Sequence, residues 1–207
     1  MTRVGVLDYG SGNLHSACRA LEAAGAEVVL SSDHDELRRC DKLLLPGVGA
    51  FAACMEGLRA VGGDEFVTGW HAEGRPLLGI CVGHQVLFTA GFEHEVEATG
   101  LGLLPGMVQR LESARLPHMG WNQVEAAEGS RLFDGIEDER FYFVHSYGVR
   151  AQQAEHLMPA GARTTWASHG GDRFVAAVEH ENISSLQFHP EKSGASGAAL
   201  LQGWVSA

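Results

Sequence analysis

Positive charge is scarce in this chain. Lysine and arginine total 15 against 26 aspartates and glutamates, a formal net charge of −11. A general nucleic-acid binder needs a basic stripe to displace counterions, and a protein docking on anionic lipid needs one too, so neither partner is expected. Long apolar runs are also missing. A membrane helix needs roughly 18 or more apolar residues, and the most apolar stretch, 43–54, is broken by Pro46, Gly47 and Gly49. The start of the chain is a short apolar run holding Asp8, too short and too polar for a secretory leader. Cysteines number only 4, at 18, 40, 54 and 81, and none forms a C-x-x-C pair. An intracellular, cytoplasmic protein with reduced thiols is therefore expected, in which a single cysteine can serve as a nucleophile. No H-x-x-x-H or Cys/His cluster suggests a metal, and no Walker lysine suggests a nucleotide. Gly10 and Gly12 only half resemble a dinucleotide fingerprint, because His15 stands where the third glycine belongs. No cofactor is expected, and His34, His71 and His94 read as scattered surface residues.

Apolar residues make up 45% of 207, which is ordinary for a folded domain and argues against disorder. Glycine is abundant, 27 residues against 6 prolines, as expected for many tight strand-to-helix turns. The apolar run at 3–8 reads as a buried strand, followed by a turn and a helix over 14–24. Leu14, Ala17, Cys18 and Leu21 fall on one face of that helix, and Gly25 stops it. Further strands are expected at 27–30, 43–45 and 77–80, with helices at 50–60 and 82–90. This alternation predicts a parallel sheet with helices on both faces. The second half changes character. Short strands at 107–111, 118–124, 140–147, 164–168, 174–179 and 183–187 predict an antiparallel extension of the same sheet, before a last helix at 194–205. With no repeat and no linker, residues 1–207 read as a single domain of α/β class: a three-layer sandwich with a mostly parallel central sheet.

The sharpest local signal is G-I-C-V-G-H-Q at 79–85. It places Cys81 where a buried strand turns into a helix, beside N–H groups that favour a thiolate or an oxyanion. The other cysteines lack flanking glycines and read as inert packing. A nucleophilic cysteine needs a base, and the base an orienting group. F-H-P-E at 188–191 offers His189 and Glu191, either on one side of an extended segment or with the carboxylate reaching the ring from a turn after Pro190. P-G-V-G at 46–49 ends another strand and could aim backbone N–H groups at developing charge. Taken alone, each has a plain structural reading: a buried cysteine, a surface turn, a β-α turn. Together they are far less expected by chance.

With these motifs in place, the chain resembles a class I glutamine amidotransferase over nearly its whole length. The match is most specific to the glutaminase subunits of imidazole glycerol phosphate synthase, in histidine biosynthesis. D-Y-G-S-G-N-L at 8–14, P-G-V-G-A-F at 46–51, P-H-M-G-W-N at 117–122, F-V-H-S-Y at 143–147 and H-P-E-K-S at 189–193 carry it. His84 departs from the methionine common in this subunit. The resemblance implies hydrolysis of L-glutamine through Cys81, His189 and Glu191, with Val48 and Val82 N–H as oxyanion donors in the Gly47-Val48-Gly49 loop. Gln85 and the segment His145, Ser146 and Tyr147 are expected to contact the substrate. It also implies a heterodimer with a cyclase subunit, a (β/α)8 barrel that receives the ammonia, with Trp121, Asn122, Tyr142 and Lys192 as candidates for the interface rim.

The flanking glycines would let the Gly47–Val48 peptide flip, aiming either its N–H or its carbonyl at the oxyanion site. The resemblance implies that the partner's ligand selects between those states. Alternatives left open at this point are the glutaminase of another amidotransferase, such as pyridoxal phosphate synthase, and a γ-glutamyl hydrolase. A non-catalytic regulatory module of the same fold is a third.

Overall fold

A computed structural model describes residues 1–207. The chain opens with β1 (Arg3–Leu7), α1 (Leu14–Ala23), β2 (Glu27–Ser31), α2 (His34–Leu37) and β3 (Lys42–Leu45). Next come α3 (Phe51–Ala60), α4 (Gly63–Ala72), β4 (Leu77–Ile80) and α5 (Val82–Gln85). β3 and β4 are buried at every position, as strands covered on both faces must be. The second half holds β5 (Phe88–Glu93), β6 (Val96–Thr99), β7 (Leu104–Arg110), β8 (His118–Gln123), β9 (Arg140–His145) and β10 (Tyr147–Val149). It ends with α6 (Ala151–Ala154), β11 (Arg163–His169), β12 (Asp172–His180), β13 (Ile183–Leu186), a 3-10 turn (Pro190–Lys192) and α7 (Gly194–Ser206).

The central sheet has 7 strands in the order β11-β12-β13-β4-β3-β1-β2. β2, β1, β3, β4 and β13 run parallel, while β12 and β11 extend the sheet antiparallel. Right-handed crossovers put α1 on one face and α2, α3 and α4 on the other. α7 packs against α1, and α3 against α4. Because the inner strands are parallel, Leu45, Ile80 and Leu186 all finish at the same edge, and the loops after them share it.

Two expectations are corrected. The helix predicted over 82–90 is one turn long, and the chain enters β5 at Phe88. Phe88, Thr89 and Phe92 favour extended backbone, and β5 finds partners on both sides in β6 and β7. Ladder pairing therefore outweighs the local helical pattern. Second, only β11–β13 extend the main sheet. β10, β7, β5 and β6 form a separate 4-stranded sheet, and β8 with β9 a 2-stranded ribbon. The sequence reading also missed α4, whose Phe66, Val67 and Trp70 are buried.

Candidate active site

Cys81 sits at the tip of a sharp turn between β4 and α5, with φ 56° and ψ −113°. A non-glycine residue there is strained, and the surroundings hold it in place. Its N–H donates to Leu186 O at 2.8 Å, and its carbonyl accepts from Gln85 N at 3.1 Å. Gly83 makes the turn possible: a Cβ there would lie 2.0 Å from Leu45 O. The side chain of Cys81 is buried, so it meets solvent only through the cavity above it. With α5 a single turn, its dipole is small, and the groups beside Cys81 matter more.

The loop after β13 brings His189 to the same place. His189 N donates to Tyr142 O at 2.9 Å, and its carbonyl accepts from Ser193 Oγ at 2.6 Å, which ties the loop to β9. Glu191 lies in the 3-10 turn that Pro190 starts, so the carboxylate reaches the ring from a turn, the second of the two geometries considered. His189 Nδ1 donates to Glu191 Oε1 at 2.7 Å, and both side chains are buried. The other ring nitrogen is left for Cys81. Burial pushes the imidazole down, but hydrogen bonds and charge from Cys81 and Glu191 outweigh it and hold the group at about 9. The His189 ring is therefore held in its protonated form beside Cys81.

Cys81 and His189 open into a cavity of about 250 Å³. Val48, Gly49, Val82, Gln85, His145, Ser146 and Tyr147 line it, all of them singled out from the sequence. Lys192, expected at a partner rim, also lines this cavity. Glu93 also lines it, and the sequence reading missed it. Its carboxylate accepts from Phe51 N at 3.0 Å, and burial raises its affinity for a proton. Nothing local marks Glu93, since it falls past the helix expected over 82–90 in a stretch read as no element, and its partner lies 42 residues away.

The 46–49 loop adopts one definite state. Gly47 O accepts from Val82 N at 3.2 Å, so the carbonyl points at the site where an oxyanion would form. Val48 N–H is turned away and donates to Ser11 Oγ at 3.1 Å. Ser11 Oγ in turn donates to Val48 O at 2.8 Å, which Cys54 Sγ also reaches at 3.2 Å. Both expected oxyanion donors are therefore engaged elsewhere. Gly47 is needed here for close approach, since a Cβ would sit 2.5 Å from Gly83 N.

Among the expected interface residues, Trp121 is half exposed and lies against Tyr142 across the β8–β9 ribbon. Asn122 alternates to the opposite side of β8, where its amide donates to Ser168 O at 2.9 Å. His34 and His71 are half-buried rather than surface residues, and His34 stacks on Phe66 with ring centres 4.4 Å apart.

Comparison with known proteins agrees with this geometry. The family described as "Glutamine amidotransferase class-I" matches residues 5–205. The "Imidazole glycerol phosphate synthase subunit HisH" of Corynebacterium diphtheriae is 56% identical over 207 residues, covering 99% of each chain. The subunit of the same description from Cutibacterium acnes is 56% identical over 205 residues, covering 99% of this chain and 96% of its own. A crystal structure described as a glutamine amidotransferase superposes with a TM-score of 0.74 at 20% identity, over 99% of both chains, a likeness of fold. The chain belongs to the class-I glutamine amidotransferases, and within them to the family of imidazole glycerol phosphate synthase HisH subunits.

Proposed function

We propose that Cys81, His189 and Glu191 hydrolyse L-glutamine in the cavity they share, and that the ammonia passes to a cyclase subunit for imidazole glycerol phosphate synthesis. Cys81 Sγ attacks the side-chain amide carbon and forms a C–S bond. His189 gives its proton to the departing nitrogen as the C–N bond breaks, releasing ammonia and leaving a γ-glutamyl thioester. Water then attacks the thioester while His189 takes its proton, and the C–S bond breaks to give glutamate and the thiolate. Glu191 holds the ring with one nitrogen facing sulfur and stabilises its charged form. Glu93, a carboxylate in the cavity wall, suits the α-ammonium of glutamine, and Gln85 lines the same cavity with its Oε1 buried and without a protein partner.

The observation that carries this reading is the placement of Cys81 and His189 in one cavity, with Glu191 hydrogen-bonded behind the ring. The loop is in its resting state under this reading. The Gly47 carbonyl opposes a developing oxyanion and occupies the Val82 N–H. A flip of the Gly47–Val48 peptide would release that N–H and bring Val48 N–H beside it. The liganded cyclase subunit supplies the differential contact that makes the flip favourable. Such control has a chemical reason. Ammonia is mostly ammonium at neutral pH and then a poor nucleophile, so it is useful only if made beside a waiting acceptor. The half-exposed Trp121 and Val48 lie on the surface we assign to that partner, with Tyr142 beside Trp121.

The test is a glutamine analogue with a thiol-reactive warhead, applied to the complex. Covalent mass on Cys81, and loss of glutamine turnover in Cys81→Ala with ammonium still feeding the cyclase reaction, support the reading. Glutamine turnover by Cys81→Ala above a trace of the wild-type rate overturns it.

A further inference from the structure

His118 lies behind the cavity and takes no part in the chemistry above, yet it is buried and uses every polar atom of its ring. Its Nδ1 lies 3.0 Å from His145 Nε2, and its Nε2 lies 3.3 Å from Asn122 Nδ2. The ring is stacked between His169 and Phe143, with centres 4.2 Å and 4.8 Å away. His145 lines the cavity, and its Nδ1 lies 2.9 Å from Tyr147 O. The same carbonyl accepts from Gln85 Nε2 at 2.9 Å.

Backbone groups at both ends set the direction of this chain. A carbonyl only accepts, so His145 Nδ1 must carry hydrogen and donate to Tyr147 O. His145 Nε2 is then bare and must accept, so His118 Nδ1 carries hydrogen and donates to it. His118 Nε2 is therefore an acceptor. At the other end, Asn122 Oδ1 accepts from Gln123 N at 2.9 Å and its Nδ2 donates to Ser168 O. That orientation presents an amide N–H to His118 Nε2, as required. Every donor meets an acceptor from Asn122 through His118 and His145 to Tyr147 O. Burial holds both imidazoles far below their usual range, His118 at about 4 and His145 at about 3, in keeping with two neutral rings.

We infer that His118 is a positioning residue for glutamine binding: its Nδ1–H holds the His145 ring by Nε2, so that His145 Nδ1–H stays on the Tyr147 carbonyl and, through that carbonyl, Gln85 keeps its place in the cavity wall. Gln85 Nε2 already donates to Tyr147 O and to Gln187 Oε1, the latter at 2.9 Å. Its amide cannot rotate without facing its own oxygen to those two acceptors. Removing the His118 donor leaves His145 Nε2 a buried acceptor with no donor, and the ring loses the bond that fixes its orientation. Its Nδ1–H would then no longer be aimed at the Tyr147 carbonyl, and the wall would shift.

The inference rests on the reading of the cavity as a glutamine site, and two measurements separate the two. The first is 15N NMR of the histidine rings of the chain at neutral pH, which needs no activity. The wild type is expected to show His145 with Nδ1 protonated and Nε2 bare. An Nε2–H ring in the wild type overturns the inference whatever the enzyme does, and this spectrum decides even if a variant fails to fold. The second is glutamine kinetics of the complex with its cyclase subunit and nucleotide ligand. His118→Phe keeps the stacking and is expected to raise KM about tenfold, the cost of one unpaired buried group, with kcat changed less than about threefold. His118→Asn, which returns a donor near Nδ1, should recover most of that loss. An unchanged KM in a folded His118→Phe overturns the inference. A wild-type complex with no glutaminase activity instead overturns the reading of the site, and leaves the tautomer to the spectrum.

Discussion

At the scale of single residues, the chemistry is divided between side chains that act and side chains that hold them. Under the proposed mechanism His189 serves both half-reactions, so His189→Ala should cost nearly as much glutaminase activity as loss of Cys81. Glu191→Ala should be about 10-fold to 100-fold milder, since an orienting group contributes less than the base. Steady-state glutamine turnover of both variants in the complex checks the order, and the reverse order contradicts the assignment. His84 makes a different prediction. It is fully buried, its Nδ1 bonds Ser185 Oγ at 2.8 Å, and burial lowers it to about 3. A base whose folded pKa is depressed contributes stability that is complete above its unfolded value near 6.5, and is lost as pH falls toward 3. His84→Met removes that linkage. Urea unfolding at pH 7 and pH 5 should lose about 2 kcal/mol less in the variant than in the wild type. An equal loss in both proteins would contradict it.

Cys81, His189 and Glu191 were legible in the sequence because glycine and proline mark their turns. Glu93 and Ser11 were not, because what gives them meaning is a contact with residues 42 and 37 positions away.

At the scale of elements, the site is the meeting of three strand ends at one sheet edge. The apolar runs and glycine turns made β1, β3, β4 and β13 legible, and with them the edge. The helix expected over 82–90 was misread because local periodicity does not report ladder partners that arrive later in the chain. β6 and β7 decide β5, and neither is near it in pattern. The small sheets of the second half were assigned to the main sheet for the same reason: a strand's pattern does not name its neighbour.

The loop 46–49 ties these elements to the β1–α1 turn through Ser11. Its hydroxyl bonds both the N–H and the carbonyl of Val48 in the resting orientation. Ser11→Ala should loosen that orientation by about 1 kcal/mol, the net worth of a hydrogen bond. The isolated chain would then hydrolyse glutamine roughly fivefold faster than wild type, measured as glutamate release. A slower or unchanged basal rate would show that Ser11 does not hold the loop.

At the scale of the whole molecule, an acidic chain carries the ammonia-producing half of a two-part reaction. Its central sheet sets a strained cysteine beside a buried His–Glu pair, and the loop after β3 turns a carbonyl against the reaction. Under the proposed mechanism, chemistry is thus built in while its electrostatic support is withheld, which suits an enzyme whose product is useful only beside an acceptor. No helix is long and apolar enough to cross a membrane. Removing a single oxyanion donor costs roughly 10² to 10³ in rate, and here both expected donors are engaged elsewhere. The most direct measurement is the glutamine hydrolysis rate of the chain alone, then with the cyclase subunit, then with that subunit and its nucleotide ligand. The account predicts a slow lone chain and a rise of at least about 100-fold in the liganded complex. A fast rate from the lone chain, unchanged by the liganded partner, would contradict it.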